Sequence, residues 1–277
     1  MAKEMIVTQK TKKELRKWQK DIEDLDNYRP YITVRKVNTI GRRHWGFCYL
    51  QQRDEHLLSD GEFRTKTKLM WQPGTCRILE QYALDIDETL DIAVEKNYIH
   101  PRNWKTFEAY VMTTDFVVHR YDKNNPSEIV ITAYTFKYWD QIYKKLEDGT
   151  VVKKKMRTWQ KFAIEKEYWR RKGVDYRVVT ERDATKEEFW NIRLSEQARD
   201  FEVPKEEILS FIEHFIEAWQ NRFRALLEQH IETVSNLMEI PFVRAKKLFF
   251  YATLHKLLPV KNDQCIRLFR PVELDLS

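Results

Sequence analysis

The ten residues E-I-V-I-T-A-Y-T-F-K at 128–137 constrain this chain more than any other stretch. They are apolar, β-branched and aromatic, and Asn124, Asn125 and Pro126 fence them off, so they specify a strand buried on at least one face. The strand nonetheless ends on a lysine. Upstream, V-M-T-T-D-F-V-V at 111–118 reads as a second strand whose single acid, Asp115, interrupts an apolar run. Alternation puts Thr135 and Lys137 on one face and Phe136 on the other. A carboxylate inside one strand and a lysine closing the next make a candidate site. The same residues also fit an aspartate that starts a turn or pairs with arginine, and a lysine that guards a sheet edge. On these two residues alone both readings stand.

The surrounding pattern is mixed α/β. Residues 8–24 form a short, highly charged helical arm, and 31–37 and 45–50 read as strands around a turn at Gly41. In H-L-L-S-D-G-E-F at 56–63, Ser59 and Glu62 have the spacing of a capping box, which starts a helix running to about Trp71. Spacing alone therefore assigns Glu62 to the helix cap. A strand at 77–84 follows the Pro73-Gly74 turn, and a helix at 87–96 precedes His100-Pro101, where the histidine reads as a loop hydrogen-bonder. Beyond Lys137 the chain turns at Gly149 and enters a helix over 158–172. Phe162, Glu165 and Trp169 lie there at i, i+3 and i+7, so Glu165 sits on or beside the apolar stripe and needs a partner, for which Lys137 is a candidate. Residues 174–180 supply the last strand of a central sheet.

After Thr180 the composition shifts to helix. Helices are expected at 186–198 and 204–230, the second carrying Ile208, Phe211, Ile212, Phe215, Trp219, Phe223 and Leu226 at helical spacing as core. Residues 231–240, the break at Pro241 and 243–258 suggest a helix-turn-helix whose second helix exposes Arg244, Lys246, Lys247 and Lys256. The tail 265–276 alternates as a terminal hairpin or wing would. A winged-helix domain and a plain helical interaction domain both fit. The expected division is 1–180 and 181–277.

Composition narrows the class. No run of the 277 residues approaches the roughly 20 apolar positions of a membrane span, and the charged opening has no secretory h-region. Cys48, Cys76 and Cys265 are too scattered for a disulfide framework or a zinc cluster, which fits a reducing cytoplasm. The net charge of +6 and basic clusters at 10–20, 153–157, 170–172 and 244–247, interleaved with aromatic residues, favour an anionic polymer as partner, although a solvated helix face explains any one cluster.

Taken in order, an acid on a helix, an acid on a strand and x-x-K at the end of the next strand resemble the restriction-endonuclease-like nucleases. More narrowly, H-L-L-S-D-G-E (56–62), L-E-Q-Y (79–82), H-P (100–101), M-T-T-D-F (112–116), T-F-K (135–137) and E-x-x-Y-W (165–169) are similar to the TnsA endonuclease subunits of Tn-seven-type heteromeric transposases. The resemblance covers about the first 180 residues. The C-terminal part is matched by length and helical character alone.

The resemblance implies an α/β restriction-endonuclease-like domain, with a central mixed sheet flanked by helices, followed by a mainly α domain that binds DNA or a partner. It implies that Glu62 and Asp115 are carboxylate ligands to one or two magnesium ions, for which manganese substitutes, with the backbone carbonyl of Phe136 completing one shell. Thr135 stands where the family has a ligand glutamine and would take its place at the metal through its hydroxyl or a bridging water. Lys137 would activate the attacking water, Glu165 would lie behind it near Lys137, and Arg244, Lys246 and Lys247 would face DNA. The implied reaction is hydrolysis of phosphodiesters at the 5′ ends of a transposon in bacterial cytoplasm, together with a TnsB-type transposase and a TnsC-type ATPase. A non-catalytic DNA-binding or assembly subunit, and a general restriction or repair nuclease, are the competing expectations.

Overall fold

The computed structural model describes residues 5–37, 41–154 and 156–276. The chain divides into two compact units, one built from residues up to Lys66 together with Gly74–Asp183, the other from Thr67–Pro73 and the residues from Ala184 onward.

The first unit opens on α1 (Gln9–Asp21), capped by the Thr8 hydroxyl, which buries only Leu15 and Trp18. A hairpin of β1 (His44–Cys48) and β2 (Arg53–Leu57) precedes α2 (Asp60–Met70). Then come β3 (Thr75–Ala83), α3 (Ile86–Glu95), β4 (Thr113–Tyr121) and β5 (Ile129–Phe136). A short α4 (Trp139–Ile142) and a hairpin of β6 (Tyr143–Lys145) and β7 (Val151–Lys153) lead to α5 (Met156–Arg171) and β8 (Asp175–Val179). The four long strands form one sheet in the order β3-β4-β5-β8, antiparallel at the first two junctions and parallel at the last. The parallel pair is possible because α5 supplies the crossover that such a connection needs. Leu79, Val117 and Ala133 from the sheet pack with Ile92 of α3 and with Phe162, Ile164 and Trp169 of α5 in one buried cluster. This is a mixed sheet flanked by helices, as a restriction-endonuclease-like fold requires.

Residues 31–37 are not a strand. Pro30 removes a ladder donor, and the chain turns at 34–36, with the Tyr31 N–H donating to the Gln81 carbonyl. Part of the expected turn before Gly41 lies outside the described residues. Strand β2 escapes a periodicity reading because R-D-E-H-L is nearly all polar. Its charges are buried as pairs: Arg53 grips Glu80 bidentately at 2.6 and 2.8 Å, and Lys66 meets Glu55 at 2.5 Å. The β6–β7 hairpin, closed around Gly149 at φ +87°, was also outside the expected elements.

Gly61 fixes how closely α2 approaches β5. A Cβ at this position would overlap the ring of buried Phe136, so the first turn of the helix seats on the end of the strand only because residue 61 has no side chain. Gly61→Ala is expected to lower stability by about 1–3 kcal/mol through overpacking. Chemical denaturation should show a lower midpoint at unchanged slope, and an unchanged midpoint would mean the ring yields freely.

The second unit is helical. Helices α6 (Lys186–Ser195), α7 (Lys205–Asn221), α8 (Leu227–Leu237) and α9 (Phe242–Leu254) bury Phe211, Phe215, Ile231, Val234, Leu248 and Phe249 in one core. The single helix expected over 204–230 is two. Arg222 leaves helical geometry at φ −146°, and the first amides of α8 are taken by the tail: Leu227 N–H donates to the Arg270 carbonyl and Glu228 N–H to that of Leu268. Phe223, placed in the core by periodicity, is exposed. The tail is not a hairpin or wing. Among the described residues it forms only an isolated bridge, Val260 to Leu274, and it is held by the Trp219 indole donating to the Val272 carbonyl at 2.8 Å. No helix among the described residues is long and apolar enough to cross a membrane.

Candidate active site

At the open end of the sheet the ladder between β3 and β4 pairs Glu80 with Phe116 and Tyr82 with Thr114, and omits the opposed pair between them, Gln81 and Asp115. Two bonds reach Asp115 from the flanking strands. The Phe136 N–H donates to Oδ2 at 2.7 Å and the Gln81 side-chain amide to Oδ1 at 3.1 Å. The same amide donates to Glu62 Oε2 at 3.3 Å. Glu62 stands in the first turn of α2 and does close a local cap: the Ser59 hydroxyl accepts from its N–H at 3.1 Å and donates to its Oε1, while the Leu58 N–H donates to Oε2 at 2.9 Å. The cap role and the place beside Asp115 are thus held by one side chain.

Among the described residues neither carboxylate has an ion-pair partner within 4 Å, although Glu62 is buried and Asp115 half-buried. Burial, and then the neighbouring Asp115, push Glu62 up to about 8. Asp115 is also raised, by burial first, against the opposing pull of the Phe136 N–H, Lys137 and Gln81.

Glu165 of α5 lies behind this pair, 5% exposed. Its partners are the hydroxyls of Thr135 at 2.7 Å and Thr114 at 3.2 Å, not Lys137, which corrects the expected pairing. Burial again raises it to about 8, with Asp115 adding to the effect. Two hydroxyl donors satisfy a protonated or a charged carboxyl, so no cation is required. Thr135 is therefore engaged with Glu165. Lys137 follows at the exposed end of β5, its N–H bonded to the Val179 carbonyl at 2.9 Å, with no ion pair within 4 Å among the described residues.

Two participants were missed by sequence reasoning. Gln81 sat in plain view within L-E-Q-Y, but nothing in strand periodicity marks a bridging amide. Lys161, on α5 between Arg157 and Glu165 at helical spacing, is lowered by burial and then by the nearby Lys137. Lys161 thus lies within electrostatic reach of Lys137 and of the carboxyl of Glu165. In the helical unit, Arg244 is bound bidentately to Glu207 at 2.5 Å and Lys247 lies over the Phe201 ring, while α9 itself is largely core.

The raised acids fix a pH dependence. In EDTA the unfolded chain releases the Glu62 and Glu165 protons near 4.5, whereas the folded chain holds them to about 8. Stability is therefore expected to fall as pH rises from about 4.5 to about 8 and then to level. Thermal melting across that range checks this, and a midpoint that climbs toward pH 8 would contradict it.

Residues 72–181 match the family model for the TnsA-like endonuclease N-terminal domain. This segment is similar to the TnsA-like endonucleases. The TnsA-like segment contains Gln81, Asp115, Thr135, Phe136, Lys137 and Glu165, and begins after Glu62. The chain is also 28% identical over 157 residues to the transposon Tn7 transposition protein TnsA of Escherichia coli, an alignment covering 57% of this chain and 51% of that protein. It thus spans about half the length of the curated relative that it matches.

Proposed function

We propose that this chain is the magnesium-dependent DNA endonuclease subunit of a transposase, hydrolysing phosphodiesters at the 5′ ends of a transposon alongside a TnsB-type transposase and a TnsC-type ATPase. One observation carries the reading: buried Glu62 and half-buried Asp115 share the Gln81 amide, with no ion pair to either among the described residues, next to a strand end that presents Lys137.

The donor set fits the cation. Among the described residues no three His, Cys, Asp or Glu side chains form a ready metal cage. Two carboxylates with the Phe136 carbonyl offer hard oxygens in small number, which suits magnesium, an ion that keeps several waters and leans on substrate phosphate. Calcium, with its larger ligand demand, is served less well. Glu62, Asp115 and the Phe136 carbonyl would hold one or two such ions, manganese serving in their place. When bound, the ion polarises the phosphodiester and lowers the pKa of a coordinated water.

The remaining steps belong to the chain. Lys137 orients the attacking water and offsets the charge that grows on the phosphate, with Lys161 adding positive field on the same side. Glu165 holds Thr135 and Thr114, and through them the two strand ends that carry Phe136 and Asp115. Thr135, standing where the family has glutamine, acts through this bond or through a water. Lys246 and Lys247 supply the DNA-facing cations of the helical unit; Arg244, neutralised by Glu207, contributes less.

The test is strand-specific cleavage of transposon-end DNA in magnesium with the transposase and ATPase partners present. Cuts at the 5′ ends that depend on this protein support the reading. Cleavage of DNA by the isolated protein at its own sites would favour a restriction-type nuclease, and absence of 5′ cuts would favour an assembly subunit.

A further inference from the structure

Gln81 has the wrong backbone for its place. It lies inside β3 at φ +50°, in the left-handed region that side chains avoid, and its pairing with Asp115 is absent from a ladder that also bulges between Thr75 and Arg77. A non-glycine residue in such a conformation costs of order 1 kcal/mol or more and persists where the surroundings require it. Glycine would occupy the position without cost, so the glutamine is there for its side chain.

That side chain is 2% exposed and fully engaged. The Thr113 hydroxyl donates to Oε1 at 3.2 Å, which fixes the amide's orientation and turns Nε2 toward the acids. Nε2 then donates to both Glu62 and Asp115. The outer oxygens of the two carboxylates are pinned separately, Glu62 Oε1 by Ser59 and Asp115 Oδ2 by the Phe136 N–H. Gln81 is the group that touches both acids.

We infer that Gln81 is the positioning residue of the acidic pair: its amide aims the Glu62 and Asp115 carboxylates toward one point, and divalent-cation affinity depends on that aim. The inference rests on the metal-dependent reading above. Groups that orient ligands from behind typically change metal affinity 10–100-fold when removed.

The experiment is calorimetric titration of the full chain with Mn2+, without DNA, comparing the protein with Gln81→Met, Gln81→Gly and Asp115→Asn, each checked for folding by circular dichroism. Gln81→Met keeps the volume and removes the amide. Gln81→Gly suits the positive φ, so it folds even where the methionine variant does not. Both are expected to bind Mn2+ at least 10-fold more weakly, and Asp115→Asn to lose binding. Wild-type affinity in either folded Gln81 variant, with Asp115→Asn still defective, would overturn the positioning role alone and leave the metal site standing. No Mn2+ binding by the unaltered protein, or undiminished binding by Asp115→Asn, would overturn the metal site and this inference together.

Discussion

Asp115→Asn is expected to reduce cleavage of transposon-end DNA by roughly 10³-fold, the loss that follows when several kcal/mol of transition-state stabilisation disappear. Asparagine keeps the shape of the side chain and can still accept from the Phe136 N–H, whose bond to Asp115 measures 2.7 Å. What it removes is a negative charge that burial disfavours and that, among the described residues, no cation pairs within 4 Å. The structural cost of losing the charge is therefore expected to be small in EDTA, since desolvation outweighs the pull of the Phe136 N–H, Lys137 and Gln81 on the charged form. Cleavage rate and thermal midpoint should part company: activity lost, midpoint in EDTA equal to or above that of the unaltered protein. A variant that unfolds would make Asp115 a structural residue, and one that cuts normally would remove it from the site.

Lys137→Ala should show the complementary separation. Its side chain is exposed and makes no ion pair within 4 Å among the described residues, and the strand is anchored at this point by backbone, the Lys137 N–H to the Val179 carbonyl. Truncation leaves the fold and the acidic pair in place. Cutting of the 5′-ending strands is expected to fall on the order of 10²–10³-fold, as for loss of one preorganised charge-stabilising donor. Mn2+ affinity should stay near that of the unaltered protein, and the partner transposase's 3′ cuts should persist. Equal cutting by the variant would show that the exposed lysine is an edge guard.

The strands carrying these residues were legible because their burial is written in composition: β5 is β-branched and aromatic along its length, and β4 is apolar except at Asp115. The helix breaks were not. The apolar stripe runs on through Phe223 and Leu226, but the amides that begin α8 are satisfied by carbonyls of the tail, some forty residues away. A contact of that kind leaves no local mark. Strand β2 was hidden for an electrostatic reason, its charges being buried through Arg53–Glu80 and Lys66–Glu55. At the site, the acids and the lysine announce themselves by residue type, whereas Gln81 acts through a backbone conformation that no periodicity encodes. The expected Glu165–Lys137 pair failed because two threonine hydroxyls supply the donors that a buried acid needs.

The missing side chain at Gly61 has a consequence for inheritance. Because the first turn of α2 rests on the Phe136 ring, the choice of residue at one position is made against the volume present at the other. Positions 61 and 136, 75 apart in sequence, are therefore expected to vary together. Drift toward a larger residue at 61 is open to descendants of this chain only in company with a smaller one at 136, beside the lysine.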